Sequence, residues 1–99
     1  MTKQEAAVST QVELSMVPAL SKMFRFQWEK AQDCYVLLYP EGMVQLNGPA
    51  GVILALVDGE RNVQGIIDSL QTKFSDAEGI DADILEFLGG AYEQHWITL

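Results

Sequence analysis

Two short apolar segments joined by three turn-forming residues constrain the fold of this chain most strongly. Residues 35–39 and 43–46 flank Pro40-Glu41-Gly42. Proline suits the first central position of a turn because its φ is fixed, and Gly42 is expected to supply the positive φ that re-enters the next strand. The pattern predicts a β-hairpin. Because a lone hairpin is marginally stable in water, we expect the chain to add a third strand and a helical layer.

The third strand is predicted immediately before the hairpin. Phe24, Phe26 and Trp28 alternate with polar residues, which is typical of a strand with one buried face. Residues 34–39 are apolar on both parities, as expected for a central strand. The sequence therefore predicts a three-stranded antiparallel meander in which residues 43–46 form an edge.

Three amphipathic helices are predicted after the sheet. The first begins at Asn47-Gly48-Pro49, where asparagine can act as the N-cap, and is expected to reach Asp58-Gly59. The second is capped by Asn62 and repeats apolar residues at helical spacing up to Phe74. The third opens near Asp81, whose carboxylate is expected to cap it, and runs to about Gln94.

The third helix has a wider apolar surface than a core helix needs. Leu85 and Tyr92 extend its apolar arc to about half of the circumference. These two side chains either cover the core and the C-terminal residues or form part of a binding surface. Gly89-Gly90 lowers helix propensity and indicates a kink or an early end.

This order of elements predicts an α+β domain. Three strands followed by three helices resemble a winged-helix arrangement in permuted order. We expect residues 1–16, which show no sustained period, to form a flexible tail or linker, and residues 17–99 to form the single domain.

The charge distribution excludes several partners. The chain has a formal net charge of −8, and from Asp58 onward nine acidic residues stand against Arg61 and Lys73. Nucleic acid or an anionic membrane surface would be repelled. The third helix carries no lysine or arginine, which a DNA-recognition helix needs. Without a long apolar run or a signal sequence, we expect a cytoplasmic protein.

Catalytic residues are scarce. His95 is the single histidine and is expected to be a surface or capping residue, and Cys34 lies in a predicted strand without a nearby base. One histidine and one cysteine cannot form a usual zinc site, and no phosphate-binding motif occurs. We therefore expect a binding module that is not an enzyme and has no cofactor.

The motifs of the chain resemble those of the PqqD family of pyrroloquinoline quinone biosynthesis. The similarity rests on RFQWE at residues 25–29, on VLLYPEGMVQLN at residues 36–47, and on the apolar residues of the first two helices. It covers about residues 17–97. The resemblance implies a peptide chaperone, related to recognition domains for leader peptides, that binds the precursor peptide PqqA. It also implies presentation of that peptide to the radical S-adenosylmethionine enzyme PqqE.

The resemblance also implies that the peptide is held as an added strand beside the third strand and is packed on the third helix. An unpaired edge has the backbone groups for this mode. We therefore expect two sets of contacts. The ladder is assigned to Met43, Val44, Gln45 and Leu46, and the apolar wall of the groove to Leu85, Leu88 and Tyr92.

Two other functions remain as alternatives at this point. The chain could be an acidic scaffold subunit that docks on the enzyme without touching the peptide, or a winged-helix DNA binder, against which the acidic third helix argues. An open strand edge also permits self-association, so we expect a monomer or a concentration-dependent dimer.

Overall fold

A meander of three antiparallel strands forms the sheet of the computed structural model, which describes residues 12–99. A two-residue strand, β1 (Ala19–Leu20), precedes it. The sheet has the order β2 (Arg25–Glu29), β3 (Cys34–Tyr39) and β4 (Gly42–Gln45). The predicted meander and the α+β class are thus confirmed. Of the predicted flexible tail, residues 1–11 lie outside the described residues.

The hairpin between β3 and β4 is tighter than predicted. Tyr39 pairs with Gly42, so the turn consists of Pro40 and Glu41 alone. Among residues 12–99 the glycines with positive φ are Gly59 and Gly79. The positive φ predicted for Gly42 is therefore wrong, because this glycine already belongs to the strand.

One face of the sheet packs on the helices. Phe26, Leu37 and Val44 are direct cross-strand neighbours and thus share this face. Leu37 is fully buried in the core. Leu46, which directly follows β4, is also buried there. The period-two pattern of the sequence therefore predicts correctly which face of the sheet is buried.

Three helices cover that face: α1 (Gly48–Leu54), α2 (Val63–Lys73) and α3 (Ile80–Glu93). The two predicted asparagine caps are present. The Asn47 side chain accepts a hydrogen bond from the N–H of Ala50 at 2.8 Å, and Asn62 accepts one from Gly65 at 2.8 Å. Each cap satisfies a backbone donor that a helix N-terminus leaves unpaired.

Helix α1 ends earlier than predicted. The N–H groups of Leu56 and Val57 donate to the carbonyls of Ile53 and Leu54, each at 3.0 Å. These bonds span three residues instead of four, so the chain tightens after Leu54. The apolar spacing at Val57 does not extend the helix, although Val57 is buried.

Helix α3 differs from the prediction at its start and at its glycine pair. Its N-cap is Gly79, with φ 71° and no side-chain cap, whereas Asp81 lies in the first turn. The predicted capping by Asp81 is therefore wrong. A carboxylate in this turn still interacts favourably with the helix dipole. The helix continues through Gly89-Gly90 to Glu93, so no early end occurs.

The end of α3 is closed by a Schellman motif with histidine in the left-handed position. His95 has φ 65°, its N–H donates to Tyr92, and the N–H of Trp96 donates to Ala91 at 2.9 Å. The chain then enters β5 (Ile97–Thr98), which pairs antiparallel with β1. This pairing cannot be predicted from the sequence pattern, because two-residue strands show no period.

Residues 12–16, which the sequence assigns to the tail, contact α2 in the structure. The N–H of Val63 donates to the carbonyl of Met16 at 2.8 Å, and that of Gln64 donates to Leu14 at 3.0 Å. Both donors belong to the first turn of the helix. Val12 and Met16 also pack against the core.

Candidate functional site

Within residues 12–99, the outer edge of β4 presents backbone hydrogen-bonding groups that no other strand uses. Within residues 12–99, β4 pairs with β3 alone. The N–H of Leu46 donates to the carbonyl of Tyr35 at 3.0 Å, so Leu46 faces β3. Because residues of an antiparallel strand alternate in direction, Val44 faces β3 as well, and Met43 and Gln45 face outward. Two N–H and two C=O groups are thus available to a further strand.

A concave surface lies next to this edge. It encloses about 400 Å³ between the end of β4, the start of α1 and the middle of α3. We call it the edge groove. Phe87 and Trp96 form its aromatic wall, with ring centroids 6.5 Å apart and planes inclined by 52°. Its lining residues are Gln45, Leu46, Asn47, Pro49, Ala50, Ile53, Asp83, Phe87 and Trp96.

One stripe of α3 faces the edge groove. Asp83, Phe87 and Gly90 are spaced by four and three residues and therefore share a face of the helix. Gly90 is exposed, and a Cβ built on it would meet no atom within 4 Å. Asp83 and Phe87 line the edge groove, and the exposed Gly90 adds no side chain to this face of α3.

The structure does not bring the predicted apolar wall to this groove. Leu88 is fully buried in the core. Leu85 lines a different depression, together with Val12 and Gln64, on the side of α3 that faces α2. At 100° per residue, Leu85 and Tyr92 lie roughly 160° and 140° round the helix from Phe87.

The predicted strand residues occupy two distinct environments. Gln45 and Leu46 line the edge groove. Met43 is 39% exposed, and its side chain projects from the face of the sheet opposite the helices, as its pairing with Leu38 indicates. Val44 is half-buried and packs against the core.

Sequence reasoning missed the residues that form the wall. The predicted wall of Leu85, Leu88 and Tyr92 contains neither Phe87 nor Trp96, which line the groove instead. Both are aromatic and near the end of the chain, which is the one sequence signal that marks them. Sequence periodicity identifies the apolar side of α3 but not the exact rotation of the helix about its axis. This rotation decides whether Phe87 lies beside Trp96.

The groove carries negative charge. Asp83 is exposed in its lining, and no lysine or arginine is among the lining residues. A carboxylate in this position favours a ligand with a neutral or basic side chain nearby.

Groups suited to catalysis do not converge here. His95 is exposed in the left-handed turn after α3, and Cys34 is half-buried in β3. Residues 12–99 contain no group of three or more histidine, cysteine or acidic side chains placed to hold a metal ion. In the same residues, no helix has the length and apolar character needed to cross a membrane. The edge groove combines outward backbone groups of β4 with apolar and aromatic side chains.

Comparison with known proteins connects this geometry to a family. The family model of coenzyme PQQ synthesis protein D (PqqD) matches residues 34–97, which include β3, β4 and all three helices. The chain belongs to the PqqD family. The resemblance noted in the sequence is thus confirmed.

Members of the PqqD family in Pseudomonas paraeruginosa and Azotobacter vinelandii, each named PqqA binding protein, are 58% and 52% identical to this chain over 86 residues. Each alignment covers 87% of this chain and 94% of the relative.

A solved structure supports the PqqD fold. The solution NMR structure of the PqqD truncation of Methylobacterium extorquens PqqCD matches with a TM-score of 0.74 and 31% identity. The match covers 91% of this chain and 97% of that one. That protein is described as a functional, stand-alone recognition element for ribosomally synthesised and post-translationally modified peptides.

Proposed function

We propose that this protein binds the precursor peptide PqqA as an added strand on β4 and presents it to the radical S-adenosylmethionine enzyme PqqE. The protein itself performs no chemical step and holds no cofactor in this proposal. Binding takes place in the cytoplasm, where a ribosomal peptide is made. The pathway is pyrroloquinoline quinone biosynthesis, in agreement with the family.

The observation that carries this proposal is the position of the outward backbone groups beside the aromatic wall. The amides of Met43 and Gln45 are free to pair, and the lining of the edge groove continues from Gln45 to Phe87 and Trp96. Backbone hydrogen bonds supply affinity in strand addition, and neighbouring pockets supply selectivity. A peptide strand paired with β4 can use both the outward backbone groups and the side chains of the edge groove.

The identity of the peptide is supported by the relatives. Proteins that are 58% identical over most of their length are named PqqA binding protein. At this identity, backbone shape is retained, so the same edge is available in both. The acidic surface near the site argues against nucleic acid as the ligand, since phosphate contacts require basic side chains.

Calorimetric titration with the synthetic PqqA peptide of Pseudomonas aeruginosa tests binding directly. We expect saturable one-to-one binding in the absence of the enzyme. Adding PqqE is expected to yield a ternary complex whose peptide affinity is equal to or higher than that of the binary complex. Binding to PqqE without any affinity for PqqA would instead support the acidic scaffold.

The unpaired edge also allows a second copy to pair with the first. In our proposal PqqA and the second copy compete for Met43 and Gln45, so saturating peptide shifts any dimer to monomer. Sedimentation velocity with and without peptide measures this competition. A dimer that persists unchanged at saturating peptide would place self-association on another surface.

A further inference from the structure

We propose that the bound peptide continues past β4 and inserts a large apolar side chain into a second cavity between the helices. This inference rests on the proposed function and deepens it, because it defines a second subsite and the chemistry of the peptide segment that fills it. The segment carries a leucine, isoleucine or aromatic residue, next to a lysine or arginine.

The second cavity, which we call the helical cavity, encloses about 470 Å³. Its walls come from α1, from the end of α2 and from the first turns of α3. Val52, Leu70, Ile80 and Ile84 contribute apolar side chains, and among residues 12–99 Asp83 is the one polar side chain in the lining. A cavity of this size and composition is typical of small-molecule and side-chain binding sites.

The rim of this cavity leaves a phenylalanine in water. Phe74, the C-cap residue that follows α2, is 42% exposed and lines the helical cavity. Burying the exposed part of an aromatic ring is favourable. An apolar side chain that enters the cavity would cover this ring, so the energetic gain does not depend on the edge groove.

The helical cavity is continuous with the edge groove. Pro49, Ile53 and Asp83 line both of them. A peptide that lies in the edge groove therefore reaches the helical cavity by crossing the first turn of α1. One ligand can occupy both without leaving the surface of the protein.

The direction of the β4 strand determines which part of the peptide reaches the helical cavity. Every strand pair among β2, β3 and β4 is antiparallel, and antiparallel pairing is slightly more stable than parallel pairing. A peptide antiparallel to β4 has its N-terminal end near Gln45 and Asn47. The residues that precede the paired strand therefore cross Pro49 and enter the helical cavity.

The negative charge of Asp83 favours a basic residue beside the apolar residue of the peptide. Asp83 is exposed at the junction of the two cavities, and neither lining contains a lysine or arginine. A basic side chain of the peptide at this junction gains an opposite charge without displacing an internal ion pair. An acidic side chain there would be repelled.

The test uses the P. aeruginosa PqqA peptide and two phenylalanine variants of the full chain. A Cβ built on Gly48, at the cavity, meets no atom within 4 Å, so Gly48→Phe introduces no clash at Cβ, and its ring is expected to cover the cavity mouth. The control is Thr72→Phe, which adds the same ring on an exposed position of α2 outside both linings. We expect Gly48→Phe to weaken PqqA affinity by roughly tenfold and Thr72→Phe to leave it unchanged.

Methyl NMR of the unmodified protein gives an independent readout that does not require a variant to fold. On addition of full-length PqqA, the methyl signals of Val52 and Ile80 are expected to shift, together with the amides of Met43 and Gln45. PqqA shortened at its N-terminus is expected to retain the amide shifts and lose the methyl shifts.

The outcomes distinguish the second subsite in the helical cavity from strand addition on β4. Amide shifts without methyl shifts, together with unchanged affinity of Gly48→Phe, would overturn the second subsite and leave strand addition intact. An absence of amide shifts at saturating peptide would overturn strand addition itself.

Discussion

Leu46 donates its backbone N–H to the carbonyl of Tyr35 at 3.0 Å, and this single bond defines the direction of every backbone group in β4. Since neighbouring residues of a strand alternate, it turns the amides of Met43 and Gln45 away from the sheet. The same bond holds Leu46 in the core, next to the edge groove.

Substitution of Gln45 by proline is expected to remove peptide binding while preserving the fold. The Gln45 N–H faces outward, so Gln45→Pro loses no hydrogen bond to β3, and proline is tolerated on edge strands. We expect PqqA affinity to fall by at least roughly tenfold, as measured by calorimetry. Val44→Pro, whose N–H faces β3, is expected to lower the thermal midpoint as well. Unchanged affinity of a folded Gln45→Pro variant would show that this amide is not used.

Truncation of Phe87 is expected to weaken PqqA binding more than truncation of Tyr92. Phe87 forms the wall of the edge groove with Trp96, whereas Tyr92 lies on another side of the same helix. Phe87→Ala is predicted to cost about 1–3 kcal/mol of binding free energy, and Tyr92→Ala is expected to have no effect on affinity. Fluorescence anisotropy with labelled PqqA measures both. The reverse order of effects would move the site to the opposite side of α3.

Two glycine-to-alanine substitutions are expected to change stability in opposite directions. Gly90→Ala adds a methyl group in open space inside a helix and should raise the free energy of unfolding by about 0.5–1 kcal/mol. A Cβ on Gly51 would lie 2.9 Å from a ring carbon of Tyr35, so Gly51→Ala forces either that ring or α1 to shift and is expected to lower the free energy of unfolding. Urea denaturation of both variants measures the difference. Equal effects would contradict the close contact between α1 and β3.

The carboxylate of Asp58 is expected to make a pH-dependent contribution to stability. Its Oδ1 accepts hydrogen bonds from the N–H groups of Arg61 and Glu60 at 2.8 and 3.0 Å, which lower its pKa below the ordinary value of 3.8. Because the folded-state pKa is lowered, this stabilisation is fully present above pH 3.8 and is lost as pH falls through the folded-state pKa.

Comparing Asp58→Ala with the unmodified protein measures this effect. We expect the variant to be less stable at pH 7 and the difference to narrow as the pH is lowered through the acidic range. A constant difference between pH 7 and acidic pH would assign the loss to packing instead of to the carboxylate.

Much of the fold can be predicted from short-range patterns. The alternation around Phe26 indicates a strand, and Asn47 and Asn62 mark two helix starts, because each feature depends on neighbouring residues alone. The turn at Pro40 was predicted, yet the strand conformation of Gly42 was not. A two-residue and a three-residue loop have the same turn-forming residues, and only the pairing with Tyr39 distinguishes them.

The site is harder to predict because it depends on how α3 is rotated against the sheet. Leu85, Leu88 and Tyr92 match the apolar pattern as well as Phe87 does. Packing of α3 directs Leu88 into the core and Leu85 toward α2, so Phe87 is the residue left beside the β4 edge. The edge position of β4 is easier to predict from the sequence, since it follows from the order of the elements.

Hydrogen exchange at the amides of Met43 and Gln45 tests strand addition most directly. In the free protein these two amides face outward and are expected to exchange rapidly, whereas the Leu46 amide, bonded to Tyr35, is protected. At saturating PqqA we predict that Met43 and Gln45 become protected and that Leu46 changes little. Rapid exchange of both outward amides in a fully peptide-bound sample would contradict binding by strand addition to β4.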